Sequence, residues 1–186
     1  FELAAVCAEN GADVTLITGP VTLATPYPHI RRVDVVSASQ MYQQCLKAFP
    51  DADITIMAAA VADYTPALVS KQKIKKSGTP LSINLKSTKD ILAALGKIKR
   101  KDQLLVGFAL ETDNENENAL KKLKNKNLDL IVLNSLKDKG AGFKQPTNKV
   151  TLFNYKSEKK TFPLKSKHEV AIDIFNEISK LRKDKI

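Results

Sequence analysis

Residues 58–76 read AAAVADYTPALVSKQKIKK: small side chains, one carboxylate at Asp63, then Lys71, Lys73, Lys75 and Lys76 within six positions. Ala58, Ala59 and Ala60 leave the main chain bare enough for a flat ring or a sugar to reach it. Asp63 can accept from a ligand hydroxyl or amine, or help hold a cation. Each lysine carries a point charge on a flexible stem, which suits following negative charge as it moves during a reaction. With Ser70, Ser77 and Gly78 nearby, the lysine segment has the polar composition of a flap over a site. The plainer alternative is a buried strand end with a capping Asp, followed by a solvated lysine loop.

Further along, Lys122 and Lys126 lie one helical turn apart, so on a helix they share a face and can meet the same anion. His29 and His168 have no nucleophile or metal-ligand arrangement around them, and neither GxGxxG nor a Walker A pattern occurs. Cys7 and Cys45 sit inside helix-like patterns with no partner spacing, which suggests buried thiols rather than a disulfide or zinc site.

The formal net charge of +10 points to an anionic partner. Nearly all of the 30 basic residues are lysines, and no aromatic side chains interleave the lysine runs. Base-reading surfaces favour Arg and stacking platforms, so a small phosphorylated ligand is favoured over nucleic acid. The longest mostly apolar run, residues 54–62, is far short of the ~20 residues that cross a bilayer. A cytoplasmic protein without a membrane partner is expected.

These residues need elements to position them. Apolar spacing at Leu3, Val6 and Cys7 predicts a helix stopped at Asn10-Gly11, followed by a strand over 14–18. A strand is expected over 32–36, a helix over about 37–49, and a strand buried on both faces over 53–57. Residues 81–85 read as a short strand, and Ser87-Thr88-Lys89-Asp90 as a capping box opening a helix to about Ile98. Strands follow over 104–108 and 128–133, with a helix over 114–126 between them that is acidic first and lysine-rich last. A hairpin over 149–154 and 160–164 and a helix over 169–181 close the chain, with residues 182–186 expected to fray. The alternation predicts one three-layer α/β/α domain over residues 1–186, Rossmann-like, with a mostly parallel sheet and an antiparallel hairpin near the C-terminus. A helix at residue 1 normally completes a βα unit, so a first strand and its loop are expected to be missing.

Together these pieces resemble phosphopantothenate-cysteine ligase. AAAVADY with the spaced KIKK, VGFALET, ALKKLKNKNLDLIVLN, GFKQPTNKVTLF, PLKSKHEVA and the opening GADVTLITGPV fall in the family's order along essentially the whole chain. The resemblance implies a two-step reaction. The carboxylate of 4'-phosphopantothenate attacks the α-phosphate of CTP in the presence of Mg²⁺, giving an acyl-cytidylate and pyrophosphate. The amine of cysteine then displaces CMP. Carried over by motif, nucleotide contacts fall on Met57, Ala58 and Ala59, on Asp63, on Lys89, Asp90, Ile91 and Leu92, on Phe108, and on Lys122 and Lys126. Lys73 falls at the flap lysine linked to the cysteine-coupling step. The resemblance also implies a homodimer to which the C-terminal hairpin contributes, with FMN relevant only if a decarboxylase is fused.

Two departures stand out. The family commonly has Asn-Pro-Asp-Ile where this chain has Thr88-Lys89-Asp90-Ile91. Its glycine-rich loop, with the Asn that stabilises the acyl-nucleotide, is expected before Phe1. A non-catalytic nucleotide-binding α/β module is the alternative from another class, ahead of a basic nucleic-acid-binding protein.

Overall fold

The computed structural model describes residues 1–25, 27–70, 72–75, 78, 81–135 and 145–185. Lys71, Lys76 and Ser77 of the expected flap, and residues 142–144 of the GFKQPT motif, lie outside them. Helix α1 (Glu2–Glu9) is followed by β1 (Thr15–Thr18), which pairs in parallel with β2 (Arg31–Asp34). Gly11, with φ of +82°, turns the chain between helix and strand where a side chain would be strained. Helix α2 (Ala38–Ala48), capped by the Ser37 hydroxyl accepting from the Gln40 amide, leads to β3 (Ile54–Met57).

A short antiparallel ribbon follows, β4 (Tyr64–Pro66) against β5 (Leu85–Ser87). Then come α3 (Ile91–Ile98), β6 (Leu104–Glu111), α4 (Glu115–Asn125) and β7 (Leu130–Ser135). The chain closes with β8 (Thr147–Asn148), β9 (Val150–Asn154), β10 (Lys159–Thr161), β11 (Lys165–Ser166) and α5 (Lys167–Lys183). The main sheet has the order β10-β9-β7-β6-β3, parallel from β3 through β7 and antiparallel from β7 to β10.

Alternation along the central strands builds the layers, because successive side chains point to opposite faces. Leu105, Ala109, Ile131 and Leu133 pack on one face with Met41, Cys45, Ile91, Leu95 and Leu123 from α2, α3 and α4. Leu104, Val106, Leu130 and Val132 pack on the other with Val170, Ile174, Ile178 and Leu181 from α5. Each of those four α5 side chains is nearly buried, which stabilises the fold by roughly 1.5–3 kcal/mol apiece.

Several boundaries depart from the sequence expectation. Ser87 does not open a capping box, since it ends β5; Asp90 itself caps α3, accepting from the Ala93 amide at 2.9 Å. The capping box belongs to α5, where Ser166 and Glu169 exchange bonds. β3 is not buried on both faces: Ile54 is 37% exposed, and among the described residues β3 pairs only with β6. The strand expected over 81–85 is shifted to β5, leaving Leu81, Ile83 and Leu85 exposed together with Tyr64, Leu68 and Val69. Residues 182–185 do not fray, because the Arg182 guanidinium meets Asp53 at 2.8 Å and the Lys185 ammonium meets Asp129 at 2.7 Å.

Candidate functional site

In an open parallel sheet the loops at the carboxyl ends of the strands face ligand. Here the segment after β3 and the start of α3 are joined at that edge. The Thr88 hydroxyl donates to the Ala62 carbonyl at 2.7 Å, and the Thr88 amide donates to the Asp63 carbonyl at 2.8 Å. Asp63, Ala58 and Ala59 are exposed next to that clasp, and Met57 is half-buried against the core. Sequence reasoning missed Thr88 because hydrogen bonds between segments 26 residues apart leave no local pattern.

Asp90 follows two residues later. Its carboxylate receives the Lys126 ammonium at 2.9 Å while capping α3. Partial burial would raise its pKa, but the Ala93 amide and then Lys126, with Lys122 nearby, hold it below the usual carboxylate value. Lys122 stands 2.5 Å from Glu111 at the carboxyl end of β6, and Glu111 also receives the Asn118 amide at 3.4 Å. The structure therefore brings Asp90, Lys126 and Lys122 together and adds Glu111. The signal for Glu111 was its place at the end of the strand that carries Phe108.

Other expected contacts are placed differently. Ile91 is 4% exposed and belongs to the core, so its side chain is not available to a ligand. Leu92 is half-buried and lies against Gly107, where a Cβ would meet it at 2.8 Å. Ile91 can offer a nucleotide only its main chain, whereas Leu92 keeps part of its side chain exposed. Phe108 packs among the side chains under α5, on the sheet face opposite α3 and α4. It lies one residue after Gly107, the partner of Met57, so only its strand position is shared with the site. The Lys89 ammonium sits 4.7 Å from the Tyr42 ring centre, a cation–π contact that turns it toward α2. Lys73 is exposed on the segment after β4.

Gly96 fixes where Lys126 stands. A Cβ at Gly96 would lie 1.9 Å from the Lys126 carbonyl oxygen, so only glycine lets α4 end so close to α3. Asn127, in the left-handed region at φ of 54°, donates its side-chain amide to the Gly96 carbonyl at 2.8 Å and locks the contact. Elsewhere, His168 meets Glu2 at 3.0 Å and His29 stacks on Tyr27, both away from these loops. Burial raises the pKa of both thiols, Cys7 and Cys45, and the two are unbonded. No helix among the described residues is long and apolar enough to cross a membrane.

Fold and site define a three-layer α/β/α domain, with a mostly parallel sheet and a charged ligand-facing edge. The chain belongs to the DNA/pantothenate metabolism flavoprotein C-terminal domain family, whose pattern matches residues 1–181. It is 44% identical over 183 residues to the coenzyme A biosynthesis bifunctional protein CoaBC of Bacillus subtilis, covering 98% of this chain and 45% of that protein. It is 53% identical over 176 residues to a cysteine/cysteine sulfinic acid decarboxylase from an unknown prokaryotic organism, covering 95% of this chain and 49% of that one. The chain thus spans about half the length of the curated relatives it matches. Among solved structures, the C-terminal domain of a CoaBC protein superposes with a TM-score of 0.82 at 37% identity, covering 98% of this chain and 81% of that one. A Cab2 mutant in complex with phosphopantothenate-cysteine shares the fold at a TM-score of 0.68 and 18% identity, covering 84% and 54%.

Proposed function

We propose that residues 1–186 form a ligase domain that joins 4'-phosphopantothenate to cysteine in coenzyme A biosynthesis, using CTP as the activating nucleotide. The observation that carries this reading is the clasp of the 58–63 loop to the start of α3 beside Lys122 and Lys126, in a chain whose relatives include CoaBC proteins. The relative bearing a decarboxylase name is about twice as long as the matched stretch, and that name describes the whole protein.

The chemistry explains the need for a nucleotide. A free carboxylate has no usable leaving group. Attack of the phosphopantothenate carboxylate on the α-phosphate forms the acyl–O–P bond and breaks the bond to pyrophosphate, which leaves. The cysteine amine then attacks the acyl carbon, CMP departs with the bonding pair, and the amine loses a proton. Positioning and charge stabilisation are the enzyme's main tasks. The bare 58–60 segment and Asp63 would hold the nucleotide. Lys73, exposed on a long stem, would close over the acyl-phosphate during amide formation.

Among the described residues there is no cluster of three or more His, Cys, Asp or Glu fit to hold a metal. Magnesium needs no such cage when phosphates supply most of its ligands, and Asp63 would be its carboxylate. There it would neutralise triphosphate charge. FMN enters only through a fused decarboxylase. A cytoplasmic homodimer accompanies the reading, with the C-terminal hairpin and the exposed apolar side chains around β4 and β5 as candidate contact surfaces.

The test uses the full-length protein and measures pyrophosphate release from CTP with phosphopantothenate and Mg²⁺. Release that depends on phosphopantothenate, followed by amide formation on adding cysteine, supports the ligase. Nucleotide binding without release favours a non-catalytic nucleotide-binding module.

A further inference from the structure

We propose that Thr88 is a positioning residue for the ligase reaction: it pins both peptide planes that flank the Asp63 Cα and so aims the Asp63 carboxylate at the bound nucleotide. The inference rests on the nucleotide reading above and names the residue that makes Asp63 fit for it. A residue has only two soft main-chain dihedrals, because the peptide planes on either side of it are rigid. The Ala62 carbonyl belongs to the plane before the Asp63 Cα, and the Asp63 carbonyl to the plane after it. Thr88 holds both, its hydroxyl donating to the Ala62 carbonyl at 2.7 Å and its amide to the Asp63 carbonyl at 2.8 Å. One neighbour therefore sets the direction of the Asp63 Cα–Cβ bond. Asp63 is exposed, and its carboxylate sits a single methylene from Cα, so it has little reach with which to correct a misdirected main chain.

Thr88 is itself well anchored. Its β-branched side chain is stiff at χ1, and the residue is half-buried just after β5. On one side the ladder continues, with Tyr64 opposite Ser87 and the Ala67 amide on the Asn84 carbonyl at 2.8 Å. On the other side Asp90 caps α3, whose Ile91 and Leu95 are 4% and 0% exposed. Thr88 thus ties an exposed loop to a helix seated in the core. Lys89 rather than a proline follows it, so no ring restricts residue 88 and its hydrogen bonds hold it instead. Ala62 is exposed, so water can take the place of the Thr88 hydroxyl at its carbonyl. Removing that hydroxyl costs the fold little; what it costs is alignment.

The experiment measures CTP dissociation constants by calorimetry in the full-length protein, for the parent, Thr88→Val, Thr88→Ser, Asp63→Asn and the Thr88→Val, Asp63→Asn double variant. Thr88→Val keeps the shape and the amide bond and loses only the hydroxyl. It should weaken CTP binding about two- to tenfold, the size of one hydrogen bond, with a melting curve close to the parent's. Thr88→Ser, which keeps the hydroxyl, should bind like the parent. The double variant should bind no worse than Asp63→Asn alone, because a residue that acts through another has nothing left to align once that other is lost. Where valine does not fold, Thr88→Ala removes the same hydroxyl with less bulk. If Thr88→Val binds CTP like the parent, if Asp63→Asn changes nothing, or if the two losses multiply, Thr88 does not act through Asp63; the inference then fails and the nucleotide reading survives. If the parent binds no CTP, both fail.

Discussion

The Lys99 ammonium stands 2.8 Å from the Asp129 carboxylate, with side chains only 7% and 5% exposed. Asp129 precedes β7 at the end of the sheet opposite the ligand-facing loops. It also accepts from the Leu105 amide at 2.7 Å and meets Lys185 at 2.7 Å. One buried carboxylate thus joins α3's end, β6, β7 and the last described residue. Removing one member of a buried ion cluster leaves the others uncompensated, at a cost of about 3–5 kcal/mol. Asp129→Ala should lower unfolding stability by that order in a urea titration, and Asp129→Asn by less, because its amide oxygen can still accept from Leu105. An unchanged midpoint in the alanine variant would show that the cluster does not hold the sheet.

Gly96 and Gly107 should respond differently to the same substitution. At Gly96 the new Cβ meets a backbone carbonyl, which cannot move without shifting α4; at Gly107 it meets the ends of Leu92 and Leu128 side chains at 2.8 Å. Overpacking costs about 1–3 kcal/mol, more where backbone must give. Gly96→Ala should therefore sit at or above the upper end and Gly107→Ala near the lower, measured as paired thermal melts. Equal losses would contradict the helix contact at Gly96.

Asp90 carries a pH dependence with a definite sign. Its folded pKa is held below the ordinary 3.8, despite partial burial, by the Ala93 amide and Lys126. A depressed carboxylate stabilises the fold above its unfolded value and loses that contribution as pH falls through the folded one. Asp90→Ala should cost about 1 kcal/mol at neutral pH as a lost cap. The gap between variant and parent should then narrow below pH 3.8. A gap that stays constant down to the acid transition would remove the charge from the explanation.

Lys73→Gln separates the two half-reactions of the proposed ligase. In the full-length protein, it should leave CTP binding within a few-fold of the parent and cut amide formation by at least about a hundredfold, the lower range for a positioned charged or proton-transferring group. Product trapping with radiolabelled cysteine reads this directly. Normal amide yield would take Lys73 out of the mechanism.

Much of the layered architecture could be read from the chain because the apolar runs at β6 and β7 and the amphipathic pattern of α5 encode their own burial. The Asp90 cap was misread because Ser87 and Asp90 match a capping box in spacing, whereas pairing with β4 extends the strand through Ser87. β3 looked doubly buried because ITIM is apolar apart from Thr55, yet pairing and cover are properties of its neighbours. At the candidate site, Asp63, Lys122 and Lys126 were visible as charges at telling spacings. Their partners were not: Glu111 is 11 residues from Lys122, and Asp90 is on another helix from Lys126. Ion pairing between elements gives both lysines carboxylate partners, and no local window of sequence contains that information.

Helices α1 and α5 lie against each other, and His168 meets Glu2 across 166 residues of chain. During synthesis on a ribosome the first helix would therefore emerge long before its mate, leaving Leu3 and its neighbours to wait uncovered. Closing so wide a loop is slow by its nature. A nascent chain stalled before residue 165 lacks the first helix's mate and should need a chaperone's shelter, whereas synthesis past Lys183 supplies all of α5 and lets the two helices zip together.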